Sequence, residues 1–247
     1  MEERTERESI IKVAIHQPNY LPWLGYFHKI ARADIFVFLD DVQYTKGGYT
    51  NRVRILSPNG PRWLTVPVRV HLGDSINHVL PSKEGWSRAH LDTLRGMYEG
   101  TPAFKEVWPD VCGLLKSVPV GDLAAVNEHL VCRLASLLGL SCLFRRSSEF
   151  ELVSASDERL LEIVSLVAPG GTYLSGSGAA KYQDPDKFAS AGLEFEYTGF
   201  QHPRYAQGAH LGVEGFEQGL SVLDAVFHLG WQGAAAMVRG SRCGEIA

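Results

Sequence analysis

The chain has 247 residues, of which 45% are hydrophobic and 21% charged, and its formal net charge at pH 7 is −4. This profile is typical of a soluble globular protein that buries a sizeable core. The overall charge does not favour the wrapping of nucleic acid or binding to an anionic membrane.

The first ten residues are charged rather than apolar, and no run of about 18 apolar residues is present. We therefore expect a disordered leader over residues 1–10, no signal peptide, no membrane span and a cytoplasmic location. The four cysteines form no C-x-x-C pair, and no histidine lies at ligand spacing from two of them. No metal site is expected from them.

A βαβ unit is predicted at the start of the chain. Val13–Ile15 is a short apolar strand, and apolar residues at helical spacing predict a helix over Trp23–Ala33. The run "DIFVFLDDV", from Asp34 to Val42, is apolar on both faces and indicates a strand that is covered on both sides. Strand, helix and strand in this order predict that the two strands are parallel.

The middle of the chain has a different pattern. Two β-rich runs, Asn51–Leu56 and Arg62–Val68, flank the turn "SPNG" and predict a hairpin. Residues 85–138 have helical periodicity, with breaks expected at residues 100–102 and 119–121. We interpret residues 11–247 as a single α/β domain with a helical insertion at about residues 85–140.

The α/β alternation returns after residue 140. The sequence predicts an open, mainly parallel sheet flanked by helices, with the hairpin and a helical subdomain inserted in the middle. Residues beyond about Gly240 are expected to be loose. The remaining elements are a strand at Ser141–Arg145, a helix at Ser156–Val167 with Ser156 or Asp157 as its N-cap, a strand in "TYLSGSGAAKY" that breaks at Gly176 into a short helix, a strand at Leu193–Tyr197 and a helix at Leu220–Leu229.

Polar side chains follow four of the predicted strands. Ligands of open parallel sheets bind beyond the carboxyl ends of the strands, so we expect these side chains to meet at one edge. They are His16, Gln17 and Asn19; Asp40, Asp41, Gln43 and Tyr44, continuing to Lys46, Asn51 and Arg52; Ser175, Gly176 and Ser177; and His202, Tyr205 and Gln207.

Each of these residues also has a purely structural interpretation. His16 follows a strand in a loop stiffened by prolines and is assigned to the site, although it could instead tie the loop to backbone carbonyls. Asp40 and Asp41 are adjacent, so they point to opposite faces and are not expected to act as a pair. The glycines near Gly176 fit a phosphate-holding turn or a tight turn equally well.

Several long motifs resemble the WbqC-like protein family, and the resemblance extends from about Val13 to Gly230. They are "HQPNYLPWLGYFHKI", "DIFVFLDDVQYTKGGYTNRVRI", "WLTVPV", "TYLSGSGAAKYQD" and "LSVLDAVFHLG". The polar positions that match include Tyr20 and Lys29 in addition to most of the strand-end residues. The chain departs from the family pattern near "QGAHLGVEGFEQGLSVLD", where members carry a more aromatic approach to the last helix.

The resemblance implies a role in polysaccharide or other small-molecule biosynthesis. We expect a transferase that moves an aminoacyl (glycyl) or acyl group onto an amine of a sugar or another small molecule. His16 or His202 would act as base, Asp40 or Asp41 would orient it, and the other polar residues would bind substrate, with Asn19, Gln43 and backbone amides near Gly176 holding the oxyanion.

Two alternatives stay open at this point. One is a nucleotidyltransferase-like, adenylate-forming enzyme, although the chain lacks the His-x-Gly-His that such enzymes carry. The other is a non-catalytic small-molecule binding protein. ATP or an activated aminoacyl donor, such as an aminoacyl-tRNA, would each serve the enzymatic roles, and the acceptor would be an amino sugar, a nucleotide sugar or an amine.

Overall fold

The computed structural model describes residues 10–176, 178, 183–208 and 215–240. The expected leader, apart from Ile10, and the expected loose residues after Gly240 lie outside these ranges. The strands are β1 Lys12–His16, β2 Ile35–Phe38, β3 Arg52–Ser57, β4 Gly60–Thr65, β5 Val68–Arg69, β6 Leu80–Pro81, β7 Leu143–Arg146, β8 Thr172–Ser175 and β9 Glu194–Tyr197. The helices are α1 Leu24–Ala31, α2 Trp86–Tyr98, α3 Phe104–Lys116, α4 Leu123–Leu137, α5 Ser156–Val167, α6 Pro185–Ser190 and α7 Val222–Arg239.

Five strands form one parallel sheet in the order β7-β2-β1-β8-β9. The chain adds β2 and then β7 on one side of β1, and later returns to add β8 and β9 on the other side. The strand order therefore reverses between β1 and β8, which is where open α/β sheets bind ligands. The expected α/β fold with a mainly parallel sheet flanked by helices is confirmed.

Both faces of β1 are buried, because successive side chains of a strand point to opposite sides. Ala14 packs into a large hydrophobic cluster that includes Phe27 of α1 and Phe227 of α7. Val13 and Ile15 pack into a second cluster, whose helical members come from α5 and α6. This double coverage explains why β1 and β2 read as continuous apolar runs.

The helical middle of the chain joins the larger cluster. Helices α2, α3 and α4 are separated near the predicted breaks, and they contribute Leu94, Val111 and Leu130 to the same core as Phe27 of α1. Asp122 caps α4 by accepting a hydrogen bond from the N–H of Ala125 at 2.8 Å. The predicted helical periodicity therefore arises because one face of each of these helices packs into this cluster.

Two antiparallel hairpins lie outside the main sheet. Strands β3 and β4 pair from Arg52 opposite Thr65 to Ser57 opposite Gly60, as the "SPNG" turn predicts. Gly60 has a φ of 98°, a left-handed conformation that glycine adopts without steric cost. Strands β5 and β6 form the second, shorter hairpin.

Two helix ends differ from the prediction. The N-cap of α5 is Ala155, so the assignment of Ser156 or Asp157 to that position is wrong: the helix begins at Ser156, and the N-cap precedes it. The last helix extends ten residues beyond Leu229. The chain passes through a non-helical conformation at Gly230 and then resumes the helix to Arg239. Among the described helices, none combines the length and apolar character needed to cross a bilayer.

A fully buried carboxylate connects three parts of the fold. Asp224, at the start of α7, accepts hydrogen bonds from the hydroxyls of Tyr98 at 3.0 Å and Tyr205 at 2.7 Å and from Gln207 at 3.2 Å. Together with His228, which lies 3.8 Å from the carboxylate, these residues form the Asp224 cluster. Burial raises the pKa of Asp224 above its usual value, and the surrounding donors compensate for that burial.

Tyr98→Phe tests the energetic weight of this cluster. The hydroxyl of Tyr98 also accepts the N–H of Leu56 at 3.0 Å, so its removal leaves a buried donor and a buried carboxylate oxygen without a partner. We expect the free energy of unfolding, measured by urea denaturation, to fall by about 2 kcal/mol. The matched control is Tyr49→Phe, since Tyr49 is exposed, and it should change stability by less than about 0.5 kcal/mol. Equal effects of the two substitutions would contradict the role assigned to Tyr98.

Candidate functional site

A cavity of about 580 Å³ opens beyond the carboxyl ends of β1 and β8. We call it the sheet-end cavity, and it lies at the reversal of strand order described above. Its lining comes from the ends of β1, β2, β8 and β9, from α1 and from α5, so distant parts of the sequence meet there. The lining residues are Ile15, His16, Gln17, Trp23, Gly25, Tyr26, Lys29, Leu39, Leu160, Tyr173, Ser175, Gly176, Gly178, Gln183, Thr198 and Phe200.

His16 is the last residue of β1 and lines this cavity. Its Nδ1 lies 3.0 Å from the carbonyl oxygen of Gln17, so Nδ1 carries the hydrogen and Nε2 is the free acceptor. The same carbonyl accepts the hydroxyl of Tyr26 at 2.9 Å, and the rings of His16 and Tyr26 meet edge to face. Burial, reinforced by the nearby Lys29, lowers the pKa of His16 to about 4. The imidazole is therefore neutral at pH 7.

Lys29 projects from α1 and is buried, with 5% of its surface exposed. Its Nζ donates a hydrogen bond to the carbonyl oxygen of Ile15 at 2.7 Å and lies 6.0 Å from the centre of the Tyr173 ring. No carboxylate of the described residues pairs with it. Burial without a counter-ion lowers the pKa of Lys29 to about 7. The amine therefore exchanges a proton near neutral pH.

The opposite wall of the cavity is built on β8. The Ser175 hydroxyl donates to Oε1 of Gln183, and the Gln183 amide donates to the Tyr173 hydroxyl at 3.1 Å. Gly176 also lines the cavity, as expected from the strand end. Ser177 and most of the predicted short helix after Gly176 lie outside the described residues.

The aromatic mouth depends on a glycine. A Cβ added to Gly25 would lie 2.4 Å from the Trp23 ring, so only glycine lets the indole cover the start of α1. Phe200 meets the Trp23 ring edge to face, with ring centres 5.3 Å apart. These side chains give the cavity an apolar entrance next to its two basic groups.

His202 lies behind this entrance and does not line the cavity. Its ring stacks on Trp23, with centres 6.2 Å apart, and its Nδ1 faces the carbonyl oxygen of Pro203 at 3.2 Å. Nε2 is buried without a partner among the described residues, and burial lowers the pKa of His202. His202 thus contacts Trp23, which lines the cavity, but does not itself reach the position expected of a base.

The two aspartates are not brought into the cavity. Asp40 is buried and accepts hydrogen bonds from the hydroxyls of Ser147 and Ser148 and from the N–H of Ser148. Asp41 shares the single hydrogen of the Ser147 hydroxyl with Asp40 and forms an ion pair with Arg159 of α5. The two carboxylates do separate, as their adjacency predicts. However, both hold the segment after β7 and the helix α5 in place, which does not support the catalytic roles expected for them.

A second group of expected site residues lies in a separate groove. Its volume is about 930 Å³, and we call it the basic groove. It contains Gln43, Tyr44, Lys46, Asn51 and Arg52, together with Thr45, Gly47 and residues of the segment 65–73. The expectation that these side chains join His16 at a single site is therefore not met.

Asn19 and Tyr20 are buried in the loop that follows β1. The Tyr20 hydroxyl donates to Nδ1 of His90 at 2.7 Å, because the other ring nitrogen of His90 donates to the carbonyl of Thr65. The amide of Asn127 donates to the carbonyls of Pro18 at 2.8 Å and Thr50 at 2.6 Å. The loop is rigid, as its prolines predict, but these contacts make Tyr20 a support of the site and not a ligand.

Tyr205 and Gln207 belong to the Asp224 cluster, away from the sheet-end cavity. Gln207 and His228 line a third cavity of about 350 Å³. In the part of the chain that the structure describes, no three His, Cys, Asp or Glu side chains converge as a metal ion would require.

Sequence reasoning missed Tyr26, Gln183 and Thr198, which line the sheet-end cavity. Gln183 had a signal, since it stands near the end of the quoted motif "TYLSGSGAAKYQD", which begins with the strand Thr172–Ser175. Glu128 was also missed: burial raises its pKa to about 7, although Arg146 pairs with it at 2.5 Å. Nothing in the helical sequence around Glu128 separates it from an ordinary surface residue.

Comparison with known proteins identifies two similarities. The model of a family described as the WbqC-like protein family matches residues 17–236. The chain is also 34% identical over 224 residues to the uncharacterized protein Rv1507c of Mycobacterium tuberculosis, an alignment that covers 89% of this chain and 94% of that protein. No solved structure matches the chain significantly.

Lys29→Met tests whether the buried amine is an uncompensated cation. Since the folded state lowers the lysine pKa from 10.5 to about 7, the cost of burying the charge is complete below pH 7 and disappears above pH 10.5. The stability gained by the substitution should therefore be greater at pH 6.5 than at pH 9.5, by about 3 kcal/mol. Urea denaturation at the two pH values measures this difference.

The control for that experiment is Lys105→Met on α3, because Lys105 is exposed and should show no pH-dependent gain. A gain for Lys29→Met that is equal at both pH values would contradict the assignment.

Proposed function

The chain belongs to the WbqC-like protein family, and on that premise we propose that it is a cytoplasmic biosynthetic transferase. It moves an acyl or aminoacyl group, such as glycyl, onto an amine of a small molecule such as an amino sugar. The observation that carries this proposal is the pair His16 and Lys29 in the sheet-end cavity. Both are basic groups that are wholly or partly uncharged at pH 7.

The cavity has the size and position of a small-molecule site. Its volume of about 580 Å³ lies within the range of roughly 300–1,000 Å³ of ligand pockets. Trp23, Tyr26 and Phe200 supply apolar walls, while His16 and Lys29 supply a few convergent polar groups. This combination orients a small substrate and excludes most of the water.

Lys29 is the better proton acceptor of the two basic groups. An acceptor amine is protonated at pH 7 and has to lose a proton to attack a carbonyl. A base is most effective when its pKa lies near the working pH, which describes Lys29 and not His16. His16, whose Nε2 lone pair is free, accepts a hydrogen bond from the attacking nitrogen and orients it.

The reaction balances with these two groups. The ammonium first loses one proton to solvent. The nitrogen lone pair then forms a C–N bond with the donor carbonyl carbon, whose π electrons move onto its oxygen, and Lys29 takes the second proton from the nitrogen. The bond from that carbon to the leaving group then breaks, and the leaving group receives the proton from Lys29. Gln17 and the backbone at Gly176 line the cavity and are the donors available to the oxyanion. Asn19 and Gln43, which were expected in this role, lie elsewhere.

The test is formation of an amide product, followed by mass spectrometry, with purified protein, activated acyl or aminoacyl donors and a panel of amino sugars. Lys29→Met should lower turnover by at least about a hundredfold, the lower end of a general-base contribution. His16→Ala should lower it by more than about tenfold with nearly unchanged melting temperature. Turnover of the wild type should rise with pH through about 7, because only the neutral amine of Lys29 accepts a proton.

Lys105→Met is again the matched control and should leave turnover unchanged. Wild-type turnover in Lys29→Met would exclude the lysine as base, and unfolding of His16→Ala would show that the imidazole is structural. ATP-dependent release of pyrophosphate without an amide product would instead favour an adenylate-forming enzyme. Ligand binding without turnover of any kind would favour a non-catalytic binding protein.

A further inference from the structure

We infer that the basic groove binds the phosphate group of a nucleotide, with Arg52 and Lys46 as its anion ligands and the exposed rings of Tyr49 and Trp63 next to the base. This site is distinct from the sheet-end cavity. The inference stands on the shape and charge of the groove and on the way Arg52 is held there, and it goes beyond the transferase proposal.

The groove is a built feature of the fold. The N–H of Tyr44 donates to the carbonyl of Asp74 at 2.9 Å, and Gln43 forms a bridge with Ser75, so the two walls are joined at their base. The Tyr44 hydroxyl donates to Oδ1 of Asn51 at 2.9 Å, and the amide of Asn51 donates to the carbonyl of Val66. The floor is therefore fixed before any ligand arrives.

The charge of the groove is opposite to that of the whole chain. Lys46 and Arg52 line it, and no carboxylate lies among the lining residues, all of which the structure describes. The adjacent Asp74 directs its carboxylate to the N–H of His71 at 2.6 Å. A chain with a formal charge of −4 thus concentrates cationic side chains in a concave surface, where they attract anions.

Arg52 is held in place by two contacts, but one of its hydrogen-bond donors has no partner among the described residues. Its guanidinium lies 4.0 Å from the centre of the Trp63 ring, and it donates to the carbonyl of Gly47. Its Nε is buried without a hydrogen-bond partner among the described residues. A guanidinium held over a ring by these contacts can present its remaining N–H donors to a phosphate in a paired geometry.

An exposed aromatic pair lies outside the lining of the groove and adjoins it through Arg52. Of the surface of Trp63, 39% is exposed, and so is 47% of that of Tyr49. The two rings lie 5.6 Å apart. Bases stack on such rings with little dependence on sequence, whereas an inorganic anion does not stack on them. This is why we favour a nucleotide over a simple oxyanion.

The groove also lies near the sheet-end cavity along the chain. Leu39 lines the cavity and Gln43 lines the groove, so their Cα atoms are at most about 15 Å apart. A nucleotide held in the groove is close enough for a linked group to approach the cavity. The binding proposal itself does not require that connection.

The experiment is isothermal titration calorimetry of the full chain with AMP, CMP, GMP and UMP, and separately with inorganic phosphate and with uridine. At least one nucleotide should bind, and both phosphate and uridine alone should bind at least tenfold more weakly. Arg52→Gln should weaken nucleotide binding at least tenfold. Lys46→Ala should weaken it at least threefold, which provides a second variant if Arg52→Gln does not fold.

Arg133→Gln is the matched control, because it removes the same charge from an exposed position on α4, and it should change affinity by less than twofold. Lys29→Met should bind the nucleotide as the wild type does. The nucleotide-binding proposal can therefore hold even if the transferase proposal fails. Absence of binding by all four nucleotides at millimolar concentration would overturn the inference. So would unchanged affinity in both groove variants, or inorganic phosphate binding as tightly as the nucleotides.

Discussion

Strand β1 has hydrogen-bonded neighbours on both edges and hydrophobic clusters on both faces. Its backbone and side chains are therefore enclosed on every side except at its ends. The strands added after β2 and after β8 lie on opposite sides of β1. A space therefore opens beyond the carboxyl end of β1 that no strand fills. The position of His16 and the approach of Lys29 from α1 both follow from this enclosure, and so does the sheet-end cavity.

The same enclosure determines the electrostatics of the cavity. Removing an amine from water without an anionic partner costs free energy, and the protein lowers that cost by releasing the proton more easily. Lys29 in turn makes protonation of His16 less favourable. The stability that the fold loses by burying Lys29 is the source of the basicity near pH 7 that an amine-directed transferase would need.

The sequence predicted the sheet, its helices and the residues at its strand ends, because periodicity and turn residues are local signals. It also brought His16, Gln17, Ser175 and Gly176 together correctly, since the ends of adjacent parallel strands meet. It failed for Asp40 and Tyr20, whose partners Ser147 and His90 lie 107 and 70 residues away in the chain, respectively. The side-chain partners of a buried polar group are set by tertiary packing, and no local pattern records them.

A single backbone oxygen, that of Gln17, receives both the ring N–H of His16 and the hydroxyl of Tyr26. Two donors on one acceptor hold the imidazole in one tautomer and one orientation. Because Nδ1–H is committed to that carbonyl, only Nε2 is left for a substrate, and with a pKa of about 4 it accepts a hydrogen bond more readily than a proton. It offers incoming molecules a fixed lone pair, which orients a bound substrate through a hydrogen bond and does not carry its proton.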